Sequence, residues 1–479
     1  MELKEAAPKT FAESISKKQV VWLVIACLAY VAVLLLPLGD LSVTGQRALA
    51  ALAWIIIVLI SNCLPTMLAN CVFAAIIILS GVLPQGAFLT AFGTSPFMLV
   101  LGLGVVAMGM SKTNLGARVS YTLMKTIGRT PPLLLLAIML TEGILSALIA
   151  NLPALLAVCP IIISVLKALN QEPGKSDLSR AMFIGMIWAG GAGGLCFISS
   201  AATNAAGVGA ISAASEGAVT VSFAQFAVMG VPTGIVLLIS GWIFLTLWFK
   251  LHKSSLKIAP EVLDQKLKEL GRMDAAEGRY ILYLVLLIVL FFVGGNYGIM
   301  PPTVAIIFMA VMLCPKIGLI TWKEAQAQQN WGMLFQIGFF VGFAGAISNT
   351  GLGDWLAHTL FGWVNTSNPL LLLLIVVCIG HIANILVPGG GAALVVIPSV
   401  WALSVAAGLN NAYLSLMMVF VVCWSQFQPV QPQYLVVKGN TGGYLDVKDF
   451  LLPNIFVTLV WTVLLVPLFY LLAPVAGIL

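Results

Sequence analysis

Along most of the chain apolar residues run without the alternation that would mark a surface helix or a half-buried strand. Runs of about 17 residues or more, the length that crosses a bilayer as a helix, recur. They include residues 20–36, 54–82, 221–249 and 451–472. Their spacing predicts an all-α polytopic membrane protein with about 11 transmembrane helices plus shorter broken pieces. Two runs carry breakers well inside them. "IANLPALL" at residues 149–156 holds Asn151 and Pro153, and "LVPGGGAAL" at residues 386–394 holds Pro388, Gly389, Gly390 and Gly391.

The two breaks belong to a repeat. "SKTNLG" at 111–116 matches "SNTGLG" at 348–353, and the register continues, with an offset of 237 to 240, as far as Leu169-Asn170 against Leu409-Asn410. Charge orients the copies. The first has Lys112, Arg118, Lys125 and Arg129 on one flank of its broken segment and Lys167, Lys175 and Arg180 on the other. The matching second flanks lack Lys and Arg and hold one acid, Asp354. Positive residues favour the cytoplasmic side, so the copies are expected to be inverted. Each broken segment then enters and leaves on one side, as a re-entrant hairpin at about 132–169 and about 369–409. The arms read as too short or too interrupted for full spans. Interrupted helices at corresponding points of inverted halves are the best sequence pointer to a carrier's midplane site.

The predicted organisation is a cytoplasmic tail at 1–19, a first half at 20–249, a cytoplasmic linker at 250–279 and a second half at 280–479. The first run is long and followed by further spans, so it reads as a span and not a cleaved signal. The linker holds seven Lys/Arg and five acids, with an amphipathic helix from about Pro260 to Leu270. It fits a membrane-surface helix and a solvated connection equally.

Composition agrees: 61% of residues are hydrophobic and 8% charged, against about 25% charged in soluble chains. The net charge of +6 reports loops and not a nucleic-acid surface. Eight scattered cysteines form no metal or disulfide pattern. Walker, GxSxG and HExxH motifs are missing, so no enzyme is expected. Two ionisable residues, Glu142 and His381, lie inside hairpin arms and are candidates for proton coupling.

With "TEGILSALIANLPALL", "WGMLFQIGFFVGFAGAISNTGLGDWL" and "FQPVQPQYLVVKGNTGGYLDVKDF", the chain over about 45–475 resembles the divalent anion/sodium symporter family of inverted-repeat, elevator-type carriers. The resemblance implies a homodimer in the plasma membrane, N-terminus cytoplasmic, carrying a small anion such as a di- or tricarboxylate by cation-coupled symport or anion exchange. No cofactor is implied beyond Na+ or H+ as coupling ion. Family members carry Ser-Asn-Thr at each hairpin tip. Here the first tip keeps Asn151 between Ala150 and Leu152, and the second has glycines. The unwound loops correspond to "SSAATNAAG" at 199–207 and "PVQPQY" at 429–434.

Carried over by position, Asn151, Thr203, Asn204, Gly389, Gly390, Gly391, Gln431 and Pro432 are expected to bind the solute, with Gln428 and Gln433 nearby. Asn151, Ser199, Ser200, Thr203 and Pro388 are expected to bind a cation. A proton/cation antiporter, an oxyanion exporter on the same scaffold and an anion channel stay open.

Overall fold

A computed structural model describes residues 16–61, 63–149, 151–253, 260–362, 364, 366, 368–386, 391–409, 412–426 and 432–478. Among these the secondary structure is helical throughout. Helix α1 (Lys17–Leu35) starts on a Ser16–Gln19 capping box and leans on α2. From α2 onward the chain runs twice through one order of elements.

A pair of helices comes first, α2 (Val43–Ser61) and α3 (Thr66–Leu79) in one copy, α13 (Ala275–Val293) and α14 (Pro301–Leu313) in the other. A short helix follows, α4 (Gln85–Thr90) or α15 (Trp322–Gln328), then a long one, α5 (Ser95–Ser111) or α16 (Trp331–Asn349). Next come an arm, α6 (Leu115–Ile127) or α17 (Leu352–Phe361), and a hairpin, α7 (Pro131–Ile149) with α8 (Asn151–Ala168) or α18 (Pro369–Leu386) with α19 (Gly391–Ala406). A broken helix, α9 (Asp177–Gly194) with α10 (Ala202–Ala214) or α20 (Tyr413–Trp424) with α21 (Pro432–Asn440), leads into a final helix of 26 residues, α11 (Phe223–Trp248) or α22 (Val447–Leu472). Between the copies lies α12 (Pro260–Glu269), as the linker pattern predicted.

The repeated motifs "SKTNLG" and "SNTGLG" both fall where a long helix turns into its arm. In the second copy that bend is 76°. Two expectations change. The run at 54–82 is two helices, because Pro65 lacks an N–H and starts α3 afresh. The arms of the first hairpin are 19 and 18 residues long, about 27 Å or more each, so length alone does not mark them as re-entrant. Among the described residues seven helices are long and apolar enough to cross a membrane, or up to nine if two bent pairs each count as one span, and the other apolar helices have 10–17 residues.

Within each copy the hairpin arms touch one another and pack on the first half of the broken helix. Across the copies, α10 packs on α19 and α8 on α21. Each hairpin therefore rests on the second half of the other copy's broken helix, and the final helices α11 and α22 pack together. The core sits at this crossing, with Trp188, Tyr434, Trp461 and Phe420 fully buried.

Candidate functional site

Helix α9 ends in "WAGGAGG", residues 188–194. Its glycines let α7 approach to backbone contact: a Cβ on Gly193 would lie 2.1 Å from the Gly143 carbonyl oxygen. Gly191 faces the other broken helix, where a Cβ would lie 3.3 Å from the Cys423 carbonyl oxygen. Gly207 likewise admits Val419. The two broken helices thus cross near their breaks, and small residues make the crossing possible.

The first break lies earlier than the sequence pattern implied. The chain leaves α9 at Gly194, makes a short 3-10 turn at Ile198–Ser200 and re-enters helix at Ala202. Ser199 and Ser200 are in the unwound stretch. Thr203 and Asn204 are in the first turn of α10, not in a loop. Asn204 is fully buried, and its amide donates to the carbonyls of Gly194 at 2.6 Å and Phe197 at 2.9 Å. The Gly194 carbonyl ends α9 without a helical partner, and the Phe197 carbonyl belongs to the unwound stretch, so Asn204 holds the break in shape. The Cys423 thiol donates to its Oδ1 at 3.4 Å, and Thr203 Oγ1 lies 3.8 Å from the same sulfur. The Ser200 hydroxyl donates to the Ala147 carbonyl at 2.7 Å, tying the unwound stretch to the first hairpin. Ser199 is half-buried.

At the first tip the helix restarts at Asn151, and Pro153 falls in its first turn, where a missing N–H costs nothing. Asn151 Nδ2 donates to Gln433 Oε1 at 3.1 Å, so the tip of one copy is latched to α21 of the other.

In the second copy Pro388, Gly389, Gly390, Gln428 and Gln431 lie outside the described residues. Gly391 and Pro432 are the first residues of α19 and α21. A helix N-terminus carries partial positive charge, and those of α8 and α21 meet at the latch.

The two intramembrane ionisable groups differ. Glu142 is fully buried, and neither carboxyl oxygen has a hydrogen-bond partner among the described residues. His381 is held on both ring nitrogens. Thr462 gives its proton to the Thr458 carbonyl at 2.9 Å, so it accepts from His381 Nε2–H at 2.9 Å. Nδ1 then accepts from the Ser425 hydroxyl at 2.9 Å. Neutral His381 is therefore satisfied as a tie between α18, the end of α20 and α22.

Several polar residues at the crossing escaped the sequence reading. The Trp188 indole donates to Tyr434 Oη at 3.0 Å and Asn454 Oδ1 at 2.9 Å, and Tyr434 Oη lies 3.0 Å from Gln426 Oε1. This buried network joins α9, α21, α22 and the stretch after α20. Ser146 donates to the Gly190 carbonyl at 2.7 Å, and Asn384 donates to the Ser425 carbonyl at 3.1 Å. The two are 238 residues apart, at the repeat offset, and that spacing was the signal available. Among the described residues no group of three His, Cys, Asp or Glu could hold a metal.

The sequence pattern of the family described as the sodium:sulfate symporter transmembrane region matches residues 17–474. The chain belongs to this family, the divalent anion/sodium symporters. It is a multi-pass membrane transporter and not an enzyme. As a divalent anion/sodium symporter it is similar to the sodium-dependent dicarboxylate transporter SdcS of Staphylococcus saprophyticus, at 26% identity over 96% of this chain and 92% of the relative. The protein of the same name from Staphylococcus aureus strain USA300 is 24% identical over 91% of this chain and 87% of its own length.

Two solved membrane proteins share the fold. MtrF of Neisseria gonorrhoeae, described as one of a class of antimetabolite efflux pumps, has a TM-score of 0.56 at 13% identity, covering 82% of this chain and 84% of its own. The YdaH transporter of Alcanivorax borkumensis has a TM-score of 0.53 at 14% identity, covering 94% and 98%.

Proposed function

We propose that the protein is a sodium-coupled carrier of a small dianion, a dicarboxylate or an oxyanion such as sulfate, working by alternating access. The observation that carries this reading is the reciprocal crossing: each hairpin packs on the second half of the other copy's broken helix, with Asn151 latched to Gln433. Four interrupted helical elements so arranged enclose one central place, and alternating access needs a central place that either side can reach. Helix N-termini supply positive potential there without a buried Lys or Arg. An anion so held leaves more readily than one in a deep ion pair. Ser199 and Thr203, beside the unwound stretch of the first copy, offer hydroxyl oxygens to sodium. The relatives named sodium-dependent dicarboxylate transporters support the ion and the solute class.

The domain reading follows. Helices α7–α10 and α18–α21 form the moving part, the remaining helices of each copy the frame, and the N-terminus and the 250–279 linker lie in the cytoplasm. Elevator motion within a homodimer in the plasma membrane fits this division.

The test is uptake of labelled succinate and labelled sulfate into proteoliposomes under an imposed sodium gradient, with counterflow as a second mode. Sodium-dependent uptake and counterflow are expected. Failure of every small anion under every gradient would overturn the carrier reading, and sustained unitary currents would replace it with a channel.

A further inference from the structure

Glu142 sits in the middle of a hairpin arm with no donor facing it among the described residues. The nearby Oδ1 of Asn151 is also buried and lacks a donor, while the other end of that amide holds Gln433. Both groups converge on one glycine. A Cβ on Gly190 would lie 2.3 Å from Asn151 Oδ1 and 3.2 Å from Glu142 Oε1. Two acceptor oxygens, Asn151 Oδ1 and Glu142 Oε1, thus converge over Gly190, and neither they nor Glu142 Oε2 have a donor among the described residues.

An unpaired carboxylate in such a place is strongly disfavoured, and a bound cation or a proton removes the penalty. A proton resolves two deficits together. A carboxylic acid has one O–H to donate, and Asn151 Oδ1 is the acceptor that lacks one.

Little else competes for the charge. On α8 the titratable neighbour is Cys159, close enough to feel Glu142. Helices α5 and α11 and the 3-10 turn at Ile198–Ser200 carry no charged residue. The charges on α6 are engaged elsewhere, Arg118 with Glu277 and Lys125 with Asp264. On α9, Asp177 and Arg180 pair in the first turn, and Lys167 of α8 lies in its last turn. His252 and Lys253 of the short turn after α11 are exposed.

We propose that Glu142 is a proton-binding site of the carrier, which in its protonated form donates to Asn151 Oδ1 and so sets the Asn151–Gln433 latch between the two copies. Loss of the proton to water leaves a carboxylate against an amide oxygen. The two repel, the amide turns, and the latch to α21 opens. Proton occupancy is then linked to the movement of the first hairpin tip. The transport consequence rests on the carrier reading, but the proton site does not.

The full-length protein in lipid nanodiscs is titrated with pH at constant sodium and followed by infrared difference spectroscopy. A protonated-carboxyl C=O band is expected at neutral pH, lost in Glu142→Gln and shifted in Glu142→Asp, the second variant serving if the first does not fold. Absence of a band that these variants affect, or its removal by sodium at constant pH, overturns the proposal. In proteoliposomes with equal pH on both sides, wild-type counterflow is expected to change several-fold with pH and that of Glu142→Gln to stay flat. A variant with the wild-type pH profile overturns the proposal too. If wild-type protein moves no anion, the carrier reading fails and the infrared band alone decides the proton site.

Discussion

The two hairpins share a plan but place their chemistry in opposite order. The first arm reads Glu142-Gly143 and the second Gly380-His381, at the repeat offset of 238. In the first copy the glycine faces the broken helix, and Gly193 closes onto its backbone. In the second the histidine occupies that position and bridges to Ser425. Gly380 instead packs on the Val421 side chain. One step of register separates a histidine held by two hydroxyls from an acid with no partner among the described residues. A repeat can therefore preserve a backbone while its two copies hold their ionisable groups in different surroundings.

The arms leading into the hairpins differ in the same sense. Helix α6 is strapped to the second copy and the linker through Arg118–Glu277 and Lys125–Asp264, and Lys112, just before it, pairs with Glu324. Among the described residues α17 carries Asp354 and His358 with no ion pair. The contrast predicts unequal sensitivity. Glu277 is buried and binds Arg118 at 2.9 Å, so Glu277→Ala should cost about 3 kcal/mol, the low end for a broken buried pair because Arg118 keeps some solvent. Asp354→Ala should leave the melting temperature in detergent nearly unchanged. Equal losses would break the comparison.

Next in size is the glycine seam. Gly193→Ala pushes a methyl into the Gly143 backbone and should lower stability by about 1–3 kcal/mol. Gly380→Ala meets a side chain, so its loss should be smaller in the same melt. His381→Ala removes both 2.9 Å hydrogen bonds, and the buried Ser425 hydroxyl loses its imidazole acceptor, a loss of about 1–3 kcal/mol. His381→Gln should recover part of it and leave the pH profile of counterflow as in wild type. A flattened profile would move the proton chemistry to the second hairpin.

The smallest effect is at the surface. The Lys112 ammonium, followed by the Thr321 N–H and hydroxyl, holds the Glu324 carboxyl down to about 2. A depressed acid stabilises above the usual carboxylate range and loses that stabilisation as pH falls toward 2. The pair is exposed and screened by salt. Glu324→Gln should therefore shift melting only slightly at neutral pH, with the difference from wild type vanishing in strong acid.

The fold was legible where local chemistry and long-range structure agree. Asn151 and Pro153 interrupt an apolar run and do mark the restart of a helix. "SKTNLG" and "SNTGLG" mark two equivalent bends. The first unwound stretch lies before the segment that the resemblance implied. Asn204 is polar because, from within the next helix, it ties the carbonyl of Gly194, the last residue of the preceding helix, to that of Phe197 in the unwound stretch. Trp188, Gln426, Tyr434 and Asn454 meet only after the two broken helices cross. No local period records such a meeting. Ser146 and Asn384 do the same work with different side chains, so a search for identical residues passes over them.

The account stands on the two copies being inverted across the membrane. Single cysteines at Gly128, just before the first hairpin, and at Gly408, just after the second, report it directly in a background free of the native cysteines. Labelled in intact cells with a membrane-impermeant maleimide, Gly408→Cys should react from outside, and Gly128→Cys only after the membrane is opened. Reaction of both from the same side would contradict the inverted arrangement and the central site built on it.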